Sequence, residues 1–460
     1  MNNSRHIKHL YARAGFGIRF EDLQDHENWS IKKAVRKLFK ASEKQEPINV
    51  LTENIDLRNF PDKTDEEKKL IQEERNKQNK TLNNAWTKQL NETDAQLRQK
   101  MTLFWHNHFS CNIGNAWYEQ QLNNIERDNA LGNFKTLLIQ VSQSPAMLQF
   151  LNNQQNQKGH PNENFARELM ELFTLGRGYY TEQDIKESAR SFTGWAFNNK
   201  TGNFVFRPRV HDEGIKTFMG KASNFFGEDI IDSIVANKQT AVFISTKLYK
   251  YLVNDVPDAS HINLMADVFY RSNYEIKPLL EFIFTADWFY EDKNIGNLVK
   301  SPVELLIGLN RQFYINYQNP DVLLQFQRTL GQVLFRPPNV AGWPGGKNWI
   351  DSSSLMYRMK IPSILLNAGV IDFTGKANPE DEAYLAAVRK QQLNVIKRVQ
   401  AQPDWEKFLL GIPKDISKEQ IAAFMLEPGI NKTITKEINR TLDMKASIIQ
   451  IVSTPEYQLC

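Results

Sequence analysis

The run His160-Pro161-Asn162-Glu163-Asn164-Phe165-Ala166-Arg167-Glu168-Leu169-Met170-Glu171-Leu172-Phe173-Thr174-Leu175-Gly176 sets carboxylates, an amide and a guanidinium directly beside an apolar stripe. Phe165, Leu169, Leu172 and Phe173 recur at i, i+4, i+7 and i+8, the spacing of one buried helix face, and Gly176 supplies the stop. At about 100° per residue, Glu168, Asn164 and Glu171 share an arc flanking that face, with Arg167 just beyond. A carboxylate at such a boundary needs a cation, a metal or several donors, because burying it unpaired is costly. Two chemistries fit. One is a structural network of Arg–Glu and Asn–Glu contacts tying this helix to its neighbours. The other is a catalytic set in which Glu168 or Glu171 acts as base or metal ligand, Asn164 stands beside them, and Arg167 holds an anionic group or orients a carboxylate.

Histidine is scarce, and His106 and His108 form one H-x-H pair. On a strand the two rings share a face and can chelate; on a helix they diverge by about 200°. The pattern Leu97, Met101, Phe104, Trp105 is helical and places His108 on the buried stripe with His106 opposite, so chelation requires the helix to end or distort before His106. His108 otherwise reads as a satisfied core histidine, or as a ligand or general base. His211-Asp212 follows the aromatic and basic run 204–209 in an expected loop. Convergence of His106 or His108, Glu168, Glu171 and His211 with Asp212 would suit a divalent transition metal with an open position. The metal-ligand candidates are therefore His106, His108, His211 and Asp212.

The segment Arg336-Pro337-Pro338-Asn339-Val340-Ala341-Gly342-Trp343-Pro344-Gly345-Gly346-Lys347-Asn348-Trp349 has glycines that permit close backbone approach and two tryptophans able to stack on sugar rings. The alternative is that both tryptophans plug the core while Pro and Gly shape the turn. Trp195, Trp343, Trp349 and Arg336 are the substrate-binding candidates. There is no Walker loop, dinucleotide fingerprint, G-x-S-x-G elbow or H-E-x-x-H, which removes the commonest enzyme classes.

The elements that must position these residues are helical. Residues 65–105 run without Pro or Gly and read as one long helix or two. Helical patterns recur at 133–141, 182–191, 238–253, 261–270, 278–284, 302–314, 320–331, 380–400 and 418–425. Ser or Thr followed by Pro or Ala recurs at Ser144, Thr285, Ser301 and Thr454, each a capping hydroxyl before a residue suited to the first helical position; Ser301 with Glu304 forms a capping box. Two exceptions stand out: 194–227, where Asn198 to Asn203 turns between aromatic arms, reads as a β-hairpin excursion, and 336–349 cannot be regular. The expected fold is mainly α, one large multi-helical unit or two tightly packed subdomains over 1–372, with a carboxy-terminal helical cap over 373–460 continuous with it.

With 41% hydrophobic and 24% charged residues, the chain can bury a sizeable core. Its 57 basic and 53 acidic residues nearly balance, which leaves no electrostatic footprint of a dedicated nucleic-acid binder. Cys111 and Cys460 cannot build a disulfide framework or chelate by spacing, so the redox compartment stays open. No apolar run of signal-peptide or membrane-spanning length occurs, and the expectation from sequence is a cytoplasmic protein.

The 162–176 run also resembles the hallmark of the bacterial family called domain of unknown function 1800. In the same order come Arg13-Ala14-Gly15-Phe16-Gly17, Phe104-Trp105-His106-Asn107-His108-Phe109, Thr193-Gly194-Trp195, His211-Asp212, Val299-Lys300-Ser301-Pro302-Val303-Glu304 and Pro337 to Gly346, so that the likeness covers nearly the whole chain. The resemblance implies a link to exported proteins that resemble sulfatases and phosphatases, and with it envelope or polysaccharide biology and an envelope location as the alternative to the cytoplasm. Together the residues and the resemblance lead to two expectations. The first is an enzyme, with metal assistance, acting on an envelope glycan or another hydroxyl-rich substrate in one deep cleft formed by 163–175, 105–109 and the two irregular segments. The second is a non-catalytic binding or assembly partner of an exported sulfatase- or phosphatase-like protein. Convergence of the polar groups around a void would favour the enzyme, and complete mutual satisfaction the scaffold.

Overall fold

The computed structural model describes residues 2–55, 63–367, 401–440 and 443–460. Helices dominate them, as the periodicity predicts. In chain order they are α1 (Asn2–Ala14), α2 (Phe20–His26), α3 (Ile31–Ala41), α4 (Asp65–Glu92), α5 (Gln96–His108), α6 (Ala116–Asp128), α7 (Phe134–Gln143), α8 (Pro145–Phe150) and α9 (Asn164–Glu168). There follow α10 (Glu182–Ser191), α11 (Gly227–Ala236), α12 (Lys238–Leu252), α13 (Ala259–Arg271), α14 (Ile276–Thr285), α15 (Pro302–Phe313), α16 (Asp321–Leu330) and α17 (Ser352–Leu366). The last are α18 (Trp405–Leu410), α19 (Lys418–Met425), α20 (Lys432–Ile438) and α21 (Met444–Val452).

The stretch 65–105 is two helices. Thr64 and Glu67 close a reciprocal capping box at the start of α4, and the extended backbone of Thr93 ends it before α5 begins. Ser144 both ends α7 and caps α8, with Pro145 at the first helical position, so one residue turns the chain. The expected helix at 380–400 and the boundary at 372–373 lie outside the described residues.

The helix expected over 163–175 does not stay regular. After α9 the backbone widens into a π-turn over Leu169–Thr174, in which the N–H of Leu175 reaches the carbonyl of Met170 at 2.9 Å. Thr174 Oγ1 donates to the Leu169 carbonyl at 2.6 Å. The extra residue per turn breaks the 100° arithmetic: Met170 is fully buried while Leu172 sits at the margin. The excursion at 194–227 is two antiparallel hairpins, β1 (Trp195–Phe197) with β2 (Phe204–Phe206), and β3 (Lys216–Phe218) with β4 (Lys221–Ser223). A third pair, β5 (Asn316–Tyr317) with β6 (Ala401–Gln402), has no sequence signal of its own, being two residues long.

One apolar cluster runs from Ile7 in α1 through Trp105, Phe173 and Phe284 to Ile448 and Tyr457, so residues beyond 401 pack into the same core as the first helices. A smaller cluster around Trp86, Leu103, Ile307 and Phe335 fills the space between α4, α5 and α15. Among the described residues, no helix is long and apolar enough to cross a membrane.

Candidate functional site

The 163–175 segment carries its charge on the surface. Arg167 donates to Glu182 Oε1 and Oε2, both at 2.9 Å, and to Glu163 at 3.2 Å. Glu171 accepts from Arg177 at 2.5 Å and from the Tyr180 hydroxyl at 3.0 Å. Asn164 donates to the Leu151 carbonyl at 3.3 Å. Glu168 makes no such bond among the described residues; burial and the neighbouring Glu171 carboxylate hold it above its ordinary value.

The two histidines of the H-x-H pair lie on a continuous helix and turn apart. His106 Nδ1 donates to Glu126 at 3.3 Å, and its Nε2 accepts the Phe335 N–H at 3.1 Å. The ring stands edge-on to Trp86 and Phe335. Glu126 is fully buried, and that burial raises its affinity for a proton. His108 Nε2 donates to the Phe173 carbonyl at 3.1 Å, while Nδ1 accepts from Lys247 at 3.1 Å. Lys247 also donates to the Leu172 carbonyl at 2.9 Å. These two carbonyls belong to the π-turn, so His108 and Lys247 satisfy backbone groups that the widened turn leaves without helical partners. Burial, then the Lys247 charge, holds His108 far below an ordinary imidazole, and burial pulls Lys247 down to about 8.

His211 Nδ1 donates to the Thr193 carbonyl at 2.8 Å and the ring stacks on Phe226 at 4.6 Å. Asp212 takes a two-pronged grip from Arg190, at 2.7 and 3.1 Å, and is held low by it. The expected metal centre does not form from these residues: His106, His108, His211 and Asp212 are committed to separate partners, and no group of three or more His, Cys, Asp or Glu comes together among the described residues. The tryptophans Trp195, Trp343 and Trp349 are buried and serve the core. Arg336 grips the buried carboxylate of Glu119 at 2.9 and 3.0 Å. The single cleft expected from 163–175, 105–109 and the two irregular segments is not what the fold builds.

The enclosed polar cleft lies elsewhere, between the end of α1, the start of α15 and the segments 424–427 and 457–460. It holds about 60 Å³ and is lined by Lys8, Gly15 to Ile18, Lys300, Glu304, Gly308, Phe424, Glu427 and Tyr457, among others. Its shape follows from local sequence. Gly308 lets α15 approach the turn after α1, since a Cβ there would sit 3.3 Å from the Phe16 carbonyl oxygen. Ser301 caps α15 with Pro302 behind it, and Glu304 returns a bond to the Ser301 N–H at 2.7 Å. Lys300 is then the last extended residue before the helix, held by antiparallel bonds from Lys300 N to the Gln458 carbonyl and from Cys460 N to the Leu298 carbonyl, both 2.8 Å.

The cleft is rich in cations. Lys8, only 7% exposed, donates to the Ala423 and Leu426 carbonyls at 2.8 and 2.9 Å. Lys300 donates to the Tyr457 carbonyl at 2.8 Å and lies 4.0 Å over that ring; burial draws it down to about 8. Neither has a carboxylate within ion-pair distance among the described residues. Lys100 pairs with Glu304. Arg13 and Arg358 stand buried behind the wall; two guanidinium nitrogens of Arg13 and one of Arg358 have no partner among the described residues. Glu427 is 7% exposed, and its Oε2 likewise has no hydrogen-bond partner there. The segments Arg13–Gly17 and 299–304 carry the family likeness, but neither by itself marks a site. The signal was the concentration of Lys, Ser and Glu around a helix start, and only the fold shows that it faces Lys8 and Glu427.

Fold and site define a mainly helical protein with a cationic cleft stitched together by the two ends of its core. The chain belongs to the family described as protein of unknown function (DUF1800), whose model matches residues 9–459. No curated protein and no solved structure matches it.

Proposed function

We propose that this protein is a binding protein that takes a polar ligand in the Lys8–Lys300–Glu427 cleft, and not an enzyme built on the 163–175 helix. The observation that carries this reading is a contrast. The polar groups expected to do chemistry at 163–175, 106–108 and 336 are almost all bonded to side chains or to backbone, whereas in the cleft Lys8 and Lys300 make no direct ion pair and Glu427 Oε2 has no hydrogen-bond partner among the described residues. Uncompensated buried charge is costly to the folded state, and a ligand that neutralises it recovers that free energy on binding. An exported sulfatase- or phosphatase-like protein, drawn from the family resemblance, is the macromolecular partner of this reading.

The test is a thermal-shift screen of small polar compounds on wild type and Lys300→Met, with mass spectrometry of each compound after incubation. The expected result is a rise in melting temperature in wild type that Lys300→Met loses, with the compound recovered intact. Failure of every compound to show dependence on Lys300 overturns the reading. Glu168 supports a second reading, since a partly buried carboxylate without a partner is what a catalytic acid requires. Conversion of a compound at a rate that falls in Glu168→Gln would establish that enzyme instead.

A further inference from the structure

We propose that the ligand of the cleft is a small acid bearing a hydrogen-bond donor next to its carboxylate, a 2-hydroxy acid or a 2-amino acid. This rests on the reading of the cleft as a binding site and names what it selects.

The argument comes from which atoms are left over. Lys8 and Lys300 both line the cleft and both lack a carboxylate partner among the described residues, so the wall presents ammonium groups whose only bonds go to neutral carbonyls. Ammonium hydrogens bonded only to carbonyls are best completed by an anion, which adds a charge-assisted bond. Phosphate or any simple acid would meet that requirement. Glu427 adds a second. Glu427 lines the same cleft, and its buried Oε2 accepts nothing from the described residues. A carboxylate is an acceptor only, so a ligand that completes it must donate. An anion without a donor would be repelled by Glu427 while being drawn by the lysines. An anion whose adjacent carbon carries a hydroxyl or an ammonium group meets both.

The rest of the wall sets size and polarity. Gly15, Gly17 and Gly308 form a side-chain-free edge, and Phe16, Phe424 and Tyr457 offer apolar contact. Glu304 does not compete for the donor, because its oxygens are bonded to Lys100 and to the Ser301 N–H. Arg13 and Arg358, behind the wall, add positive potential without reaching the ligand. The two acid classes differ in one respect only: a hydroxyl donor is neutral, whereas an ammonium donor brings a charge that Glu427 would pair.

L-lactate, L-alanine and propionate have nearly the same size and differ at this one position, so they test the proposal directly, with sulfate as the donor-free inorganic anion. Binding is measured by calorimetry or by ligand-observed NMR on the intact chain. The expected result is that lactate or alanine binds at least roughly tenfold more tightly than propionate and sulfate, the size of one charge-assisted bond. Preference for lactate identifies the hydroxy acid, and preference for alanine the amino acid. Glu427→Gln, which keeps the shape, should bring lactate or alanine within about threefold of propionate, while Lys300→Met should weaken all the acids. Equal binding of propionate or sulfate to wild type, or an undiminished preference in Glu427→Gln, overturns the ligand class while leaving the cleft as a binding site. Absence of any binding that depends on Lys300 overturns both. Circular dichroism and melting curves of the two variants show that they fold, and Lys8→Met provides an independent removal of charge from the same wall should Lys300→Met not.

Discussion

Lys247 donates to Nδ1 of His108 across 3.1 Å, which leaves the ring's proton on Nε2, where it meets the Phe173 carbonyl. Each of these side chains thus fixes the state of the other, and both depend on a π-turn that offers carbonyls a regular helix would have used. The pair resembles catalytic machinery in residue type, yet its geometry serves the backbone.

Stability should fall on the acid side through His108. The folded ring is held far below its ordinary 6.5, so the unfolded chain binds more protons once the pH drops under that value. Stability is then lost as pH falls, at up to about 1.4 kcal/mol per pH unit for the one group. His108→Gln keeps a donor for the Phe173 carbonyl and removes the titration; urea unfolding at a series of pH values should show a shallower acid slope. An unchanged slope would show that His108 is charged in the fold.

Lys247 acts on the alkaline side. Its folded value is drawn from 10.5 to about 8. Between these the unfolded chain again binds more protons, so stability rises as pH climbs from 8 toward 10.5. Lys300 lies in the same window and contributes with the same sign. Lys247→Met should flatten part of this rise in the same urea series, and a steeper rise would contradict the assigned direction.

Glu168→Gln and Glu171→Gln should separate. Arg177 is 86% exposed, so the Glu171 pair is screened and its loss should cost under about 1 kcal/mol. At Glu168 the amide relieves an unpaired, partly buried charge and should be neutral or stabilising. Melting temperatures at equal concentration decide this. A steep fall in both variants would make the carboxylates structural and end the case for Glu168 as a catalytic group.

His106→Ala should destabilise by about 3 kcal/mol, because it opens a cavity beside Trp86 and strands the Phe335 N–H and Glu126. Denaturant titration measures this. Elemental analysis provides the complementary check: a bound metal whose stoichiometry follows His106 or His108 would contradict the bonding described above.

Gly342 has φ of 82°, and a Cβ there would lie 2.3 Å from Asn107 Oδ1. That oxygen accepts the Trp343 N–H at 2.8 Å and staples the irregular 336–349 segment to the end of α5. Gly342→Ala should cost roughly 2 kcal/mol or more, and limited proteolysis should cut within the segment in the variant before it does in wild type.

The sequence by itself determined the helical class, the positions of α7, α10, α12 to α16 and α19 and the family, because these rest on local periodicity, capping hydroxyls and motif order. It also isolated the two irregular regions, since Pro and Gly act on the backbone where they stand. Tertiary structure decided the rest. Whether a charged residue is free or paired depends on groups far away in sequence: Arg336 meets Glu119, His106 meets Glu126 and the Phe335 N–H, and Trp343 is covered by α5. Helical-wheel arithmetic failed at Leu169 because a single π-turn rotates everything after it, and no local signal marks that turn apart from the partners, His108 and Lys247, that make it affordable. The cleft was hidden for the same reason. Lys8, Lys300 and Glu427 sit near the start, the middle and the end of the chain, and only the packing of α1 against α15 and the return of 457–460 beside Lys300 bring their charges into one space.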